Sequence, residues 1–299
     1  MGVALSRQGW RRPRKLSAGE ECKFTTVARP GSSEVFVDRP EVTKLYKYRV
    51  YNEQNLKILE QRRIYFPAAE KFNDPFDCAI EPIADVADPD ELIELTATQF
   101  ASYNPPIPKD ETRRQLESLK NVGPDLMHRI LSLFKDREIL LNRKTLGVFT
   151  MSELNDHPLL WAHYADSHRG FCIEFERTPT NDFGLAKPMT YSDAYPEVDL
   201  FRMLLEQRAK LSVFTKASCW AYEKEWRRVI PEANVFRQHY EGMISGIIFG
   251  AKMKKAHKAR IRATFFGDKK VRYYQARLKE RDYGLLIEPE PVLRPLVKL

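Results

Sequence analysis

Two glutamates and an arginine alternate in the stretch WAYEKEWRR, residues 220–228, as Glu223, Glu225 and Arg227. Side chains of an extended chain point to opposite faces with a period of two. The three are therefore predicted to share one face of a strand over 223–230, with Lys224, Trp226 and Arg228 on the other. A fixed carboxylate can stabilise positive charge that develops in a transition state. An arginine fork suits bidentate contact with phosphate or carboxylate. The same spacing also serves plain ion pairs along or across a strand, and the stretch alone leaves both readings open.

Other candidates lie far away in the chain. Arg49 follows Lys47 and Tyr48 in LYKYRVY, whose aromatic and β-branched content predicts a strand over 44–51. A buried carboxylate such as Asp77 would be its ordinary partner. Asp74 and Asp77 flank Pro75 in FNDPFDC. Asp74 fits a turn-capping role, and Asp77 is placed to orient Arg49 or Arg227. Trp161, His163 and Tyr164 fall on a short helix opened by Pro158, where Trp161 and Tyr164 share a face and suit a core as well as a ligand contact.

Several chemistries are disfavoured. His157, His163 and His168 are six and five residues apart, which matches no zinc signature. No G-x-S-x-G elbow and no glycine-rich phosphate loop occurs. Cys22, Cys78, Cys172 and Cys219 are scattered without a CxxC pair, so buried free thiols are expected rather than a disulfide framework. Gly2 with Ser6 gives only a short myristoylation match.

The elements that must position these groups form an α+β pattern. A helix is predicted over 52–63 with Asn52 as N-cap, and a strand over 64–66. Helices follow near 90–102, 109–121 and 124–141, an insertion spanning about 88–142. Strands are expected over 146–151 and 170–176, the latter with Phe171, Ile173 and Phe175 on one face. An amphipathic helix is expected over 197–214, then strands over 223–230, 244–249, 271–277 and 283–288, with a basic helix over 252–264. This order predicts a mixed, largely antiparallel sheet with helices on its faces, in a single domain over 41–290. Residues 1–40 read as a disordered basic tail and 291–299 as a C-terminal tail.

Hydrophobic residues make up 43% and charged residues 30% of 299 residues, as in an ordinary chain with a core. No apolar run reaches the roughly 18 residues of a membrane span, and no secretory leader is read, so a cytoplasmic location is expected. The net charge of +8 is uneven: residues 1–40 carry +4, 41–249 carry −5 and 250–299 carry +9. Basic ends of this kind permit contact with nucleic acid. On the basic helix, Lys252, Lys255 and Arg262 are expected outward, with Met253, Ala256, Ile261 and Phe265 available for burial.

Taken together, LYKYR (45–49), FNDPFDC (72–78), LLWAHYADSHRGFCIEF (159–175), WAYEKEWR (220–227) and IIFG (247–250) resemble a bacterial family known as domain of unknown function 2971, from about Lys44 to Gly250. The layout is also similar, more distantly, to the ADP-ribosyltransferase superfamily. In that superfamily a first-strand basic residue grips NAD, a middle element supplies Ser or Tyr, and a late strand supplies a catalytic glutamate. This likeness implies Glu225 and Tyr164 as catalytic residues and Arg49, Tyr48, Asp77 and Arg227 as NAD-binding residues. The chain departs from the pattern in lacking a Ser-Thr-Ser triplet, with only Thr150 and Ser152 around Met151. The alternative is a non-enzymatic or nuclease-like module engaging nucleic acid or a partner through its basic ends, in phage defence or stress response.

Overall fold

A computed structural model describes residues 38–86, 88–101, 106–119, 124–238 and 243–290. The expectations for both tails and for Cys22 and Gly2 lie outside the described residues, apart from 38–40.

The chain opens with β1 (Lys44–Arg49), α1 (Glu53–Glu60) and β2 (Arg63–Phe66). Asn52 caps α1 as expected, its side chain accepting from the Asn55 amide at 2.7 Å. The insertion follows as α2 (Pro89–Ala101), α3 (Lys109–Leu119) and α4 (Pro124–Leu140), the last running into a π turn over Leu141–Thr145. Then come β3 (Gly147–Ser152), α5 (Pro158–Tyr164) and β4 (Phe171–Glu176). Short strands β5 (Lys187–Pro188) and β6 (Thr190–Ser192) lead to α6 (Leu205–Phe214) and β7 (Thr215–Ala217). The chain continues through β8 (Glu225–Ile230), β9 (Val235–Gln238), β10 (Ile244–Phe249), α7 (Lys255–Thr264), β11 (Arg272–Leu278) and β12 (Leu285–Pro289).

Eight strands form one sheet in the order β12-β11-β10-β4-β1-β3-β8-β5. Among the described residues of this sheet, only β10 and β11, joined through α7, run parallel; its other neighbouring pairs are antiparallel. This is the mixed, largely antiparallel α+β architecture that the alternation of elements predicts. Central strand β4 is buried on both faces, as a strand covered on both sides must be. Phe171, Ile173 and Phe175 join Leu45, Phe149, Trp226, Ile247 and Phe249 on one face, under Leu56 and Leu59 of α1, Ile261 of α7 and Phe265 just after it. Cys172 lies on the other face with Tyr46, Tyr48 and Ile248, under Leu160 and Trp161 of α5.

The helix expected over 197–214 starts only at Leu205. Residues 198–200 instead bond to the chain at Ile83: the Ile83 amide donates to Val198 O at 2.8 Å, and the Leu200 amide to Ile83 O at 2.9 Å. Asp199 then caps a turn by accepting from the Phe201 and Arg202 amides at 2.9 and 2.8 Å. The insertion is tied to α6 by a buried ion pair, Arg208 Nε to Glu138 Oε1 at 2.8 Å. Arg208 Nη1 also donates to the carbonyls of Leu200 and Met203, at 2.7 and 2.6 Å.

Cys78 and Cys172 are buried free thiols, whereas Cys219 is exposed, against the expectation for all four. It sits in the short helix Ser218–Glu223.

Candidate functional site

Strands β1 and β3 are neighbours but pair at one position, Tyr46 opposite Ser152. β1 pairs instead with β4 along its whole length, and β3 with β8 along its whole length. Beyond Tyr46 and Ser152 the two half-sheets separate, and a cavity of about 580 Å³ occupies the wedge. Consecutive residues of both strands line it, 46–50 and 148–152. An ordinary pocket on one sheet face would receive alternate residues, so this one opens into the gap between strands.

One wall of the wedge is acidic and fully wired. Lys216, from β7, reaches Glu223 Oε2 at 2.7 Å and Glu225 Oε2 at 2.9 Å. Glu225 Oε1 accepts from Arg227 Nε at 2.6 Å, and Arg227 Nη2 donates to Asp77 Oδ2 at 2.7 Å. The Tyr164 hydroxyl donates to Glu223 Oε1 at 2.6 Å. All five charged groups are buried, and three carboxylates against two cations leave one net negative charge. Burial pushes the Glu225 carboxyl up, but the charges of Arg227 and Lys216 outweigh it and hold it at about 2. Burial likewise opposes the Lys216 ammonium, and Glu225, Glu223 and Asp77 reverse that, so its affinity for the proton is raised. Burial and the Glu223 bond keep the Tyr164 hydroxyl protonated well beyond its usual range. Glu225 is thus a permanent anion rather than a proton acceptor near neutral pH.

The opposite wall is cationic, and its Lys47 and Arg49 form no ion pair among the described residues. Lys47 and Arg49 project from one face of β1, cross-strand from Ile173 and Phe171. The Lys47 ammonium donates to Thr150 Oγ1 at 2.6 Å and lies 5.1 Å from the centre of the Phe149 ring. Burial, then the neighbouring Arg49 charge, hold Lys47 well below the ordinary lysine range. Burial alone brings the Arg49 guanidinium down to about 10. Among the described residues, the Arg49 guanidinium has neither an ion pair nor a hydrogen bond, and Asp77 belongs to Arg227.

The expected site residues therefore separate. Glu225, Tyr164, Arg49, Tyr48 and Asp77 all line the wedge. Tyr48 is held from both ends, its hydroxyl donating to Leu154 O at 2.8 Å and its ring meeting Trp161 edge-on at 5.1 Å. Arg227, expected to touch the cofactor, is wholly buried behind Glu225. Its guanidinium is used up by Glu225, Asp77 and the Val213 carbonyl at 2.7 Å, so it holds the carboxylate in place instead.

Glu223 lies outside the strand expected to carry it. It ends a 3-10 helix over Ser218–Glu223, and Lys224 then adopts a left-handed conformation with φ of 44° before β8 begins. Glu223 reaches the same cation as Glu225 from a turn, not from a shared strand face. Within β8 the alternation holds: Trp226 packs in the opposite core, and Arg228 bonds Asp182 on that side at 2.8 Å. Asp74 caps its turn as expected, accepting from the Phe76 amide at 2.9 Å.

Lys216 and Thr150 were not singled out from the sequence as site residues. Lys216 lies nine residues from Glu225 in a three-residue strand, and no local pattern connects the two. Ser152 is structural: its hydroxyl donates to the Glu223 carbonyl at 2.6 Å, fixing the turn that presents Glu223.

The basic helix α7 is partly neutralised. Lys258 pairs with Glu290 at 3.1 Å, and Arg262 pairs with the same carboxylate while stacking over Tyr273 at 4.5 Å. Arg262 is therefore not among the outward cations, while Lys252 and Lys255 are exposed. Met253, Ile261 and Phe265 are buried, and Ala256 is exposed. Among the described residues, no helix is long and apolar enough to cross a membrane.

Residues 160–228, from α5 into β8, match the model of the family described as Protein of unknown function (DUF2971). The family resemblance read from the quoted segments is borne out over this stretch, which contains Tyr164, Lys216, Glu223, Glu225 and Arg227. No curated protein and no solved structure matches the chain.

Proposed function

We propose that the wedge binds NAD and that the protein transfers its ADP-ribosyl group. The observation carrying this reading is that five residues from segments far apart in the chain, Tyr48, Arg49, Asp77, Tyr164 and Glu225, line one cavity of about 580 Å³. That volume lies within the range of small-molecule sites, roughly 300–1,000 Å³. In the proposed reaction the bond between ribose C1′ and the nicotinamide nitrogen breaks, and nicotinamide leaves neutral with the bonding pair. The acceptor's oxygen or nitrogen then bonds to C1′ and releases a proton.

The roles follow from the two walls. Glu225, ionised throughout the neutral range, stabilises the oxocarbenium-like charge on the ribose, as carboxylates do in glycoside hydrolysis. Each of its oxygens retains a free lone pair beside the Lys216 and Arg227 bonds, enough to accept from the ribose 2′-hydroxyl. Tyr164 offers a ring to nicotinamide, and Arg49 grips the pyrophosphate.

The test measures nicotinamide release and transfer of label from adenylate-labelled NAD, for the wild type and Glu225→Gln, with melting curves for both. Turnover by the wild type that falls at least a hundredfold in a folded variant supports the reading. No NAD binding and no nicotinamide release by the wild type overturns it, as does equal turnover by the variant.

A further inference from the structure

Lys47 has no part in that reading, yet it is the more conspicuous of the two cations. Two basic groups stand two residues apart on one strand face, over an apolar layer of Ile173, Phe171 and Phe149. Neither has a carboxylate partner: Lys47 bonds only a neutral hydroxyl, Thr150 Oγ1 at 2.6 Å, and Arg49 bonds nothing among the described residues. Both are half-buried, and a charge drawn out of water ordinarily pairs or loses its proton. Here the nearby carboxylates are already held by Lys216 and Arg227. With both groups charged the empty arrangement would repel itself, and an anion with two adjacent negative charges would relieve it.

We infer that Lys47 and Arg49 form one two-cation clamp that closes on a diphosphate-bearing ligand, with Lys47 the residue that sets the preference for two phosphates over one. This rests on the wedge being a nucleotide site and adds the charge that the ligand must carry. Thr150, on β3, holds the Lys47 ammonium from across the gap, so the clamp spans the split between the half-sheets. The groups facing Lys47 are Arg49 on its own strand and Glu223, Glu225 and Arg227 across the wedge. Lys71, Lys216 and His163 line the same cavity. In the empty site burial and Arg49 outweigh the pull of Glu225 and Glu223, and Lys47 is held well below its usual range. A diphosphate reverses this balance, so binding is coupled to uptake of a proton by Lys47.

Inorganic pyrophosphate is the probe, titrated calorimetrically into the whole protein at pH 8 to 9 in two buffers of different ionisation enthalpy. The wild type is expected to bind pyrophosphate at least tenfold more tightly than orthophosphate, with proton uptake. Lys47→Met should lose at least tenfold in affinity, lose the preference over orthophosphate and lose the uptake, while Thr150→Val gives an intermediate loss. Melting curves establish that each variant is folded. No pyrophosphate binding by the wild type, or unchanged binding and uptake in Lys47→Met, overturns the clamp. The two proposals fail separately: pyrophosphate binding without nicotinamide release sinks the transferase alone, and NAD turnover without pyrophosphate binding sinks the clamp alone.

Discussion

The Lys216 ammonium lies 2.9 Å from Glu225 Oε2 and supplies the second of the two cations that keep this carboxylate charged inside the protein. The same ammonium holds Glu223 at 2.7 Å. One lysine from β7 thereby fixes both carboxylates of the acidic wall, across the end of a 3-10 helix and a left-handed residue that would otherwise leave them free to diverge.

Lys216→Met is accordingly expected to destabilise the fold by about 3–5 kcal/mol, the usual result of stranding buried charge by removing one partner. The double variant Lys216→Met/Glu225→Gln should recover part of that loss, because it removes one stranded carboxylate. Chemical denaturation of the three proteins measures the difference. The acid limb carries a second signature. The folded Glu225 carboxyl titrates at about 2 against an ordinary 4.5. A lowered folded value contributes stability that is full above 4.5 and is lost as the pH falls toward 2. Glu225→Gln should flatten stability against pH in that window.

Tyr164→Phe removes the 2.6 Å bond to Glu223 Oε1 while leaving the Lys216 bond intact. Because the hydroxyl donates to a charged acceptor, a loss of about 1.5–3 kcal/mol is expected. If Tyr164 only packed against its neighbours, the phenylalanine would melt with the wild type in a thermal scan.

Much of this frame is legible in the sequence where local chemistry decides it. Asn52 announces α1, Pro158 announces α5, and the alternation in FCIEFE places Phe171, Ile173 and Phe175 on one face of β4. Legibility ends where distant chain takes over the local signal. The apolar pattern over 197–204 suits a helix, yet the backbone of 198–200 bonds to Ile83, more than a hundred residues earlier. A period of two assigns Glu223 to β8, but the left-handed Lys224 separates it from the strand, which begins only at Glu225. The residue types for the acidic wall were recognisable; the cation closing it was not, because Lys216 meets Glu225 only through the fold.

Lys47→Met is expected to raise the stability of the ligand-free protein near neutral pH. A lysine held below its usual value in the folded state opposes folding wherever the unfolded chain binds the proton more readily. Stability therefore rises with pH from the folded value toward the ordinary 10.5. Methionine keeps the apolar stem and removes the titrating group. Denaturation midpoints at pH 7 and pH 10 should differ less in the variant than in the wild type, and a variant less stable than wild type at pH 7 would count against a repelling pair of cations.

Gly170 supports Arg49 from beneath. A Cβ at this position would lie 2.2 Å from the Arg49 carbonyl oxygen and 3.0 Å from that of Ala165. Both contacts are backbone, so neither can swing aside, and the end of β1 must move. Gly170→Ala is expected to cost about 1–3 kcal/mol, as overpacking of a filled site does. The displaced β1 also carries Arg49 and Lys47, and pyrophosphate affinity should fall with it. The decisive comparison is with Gly267→Ala at the exposed end of α7, where a Cβ would meet nothing within 4 Å but where φ is +85°. Backbone strain alone would lower stability there without touching the wedge. A fall in pyrophosphate affinity in Gly170→Ala and not in Gly267→Ala, each measured well below its melting temperature, ties the effect to the position of β1 rather than to reduced stability.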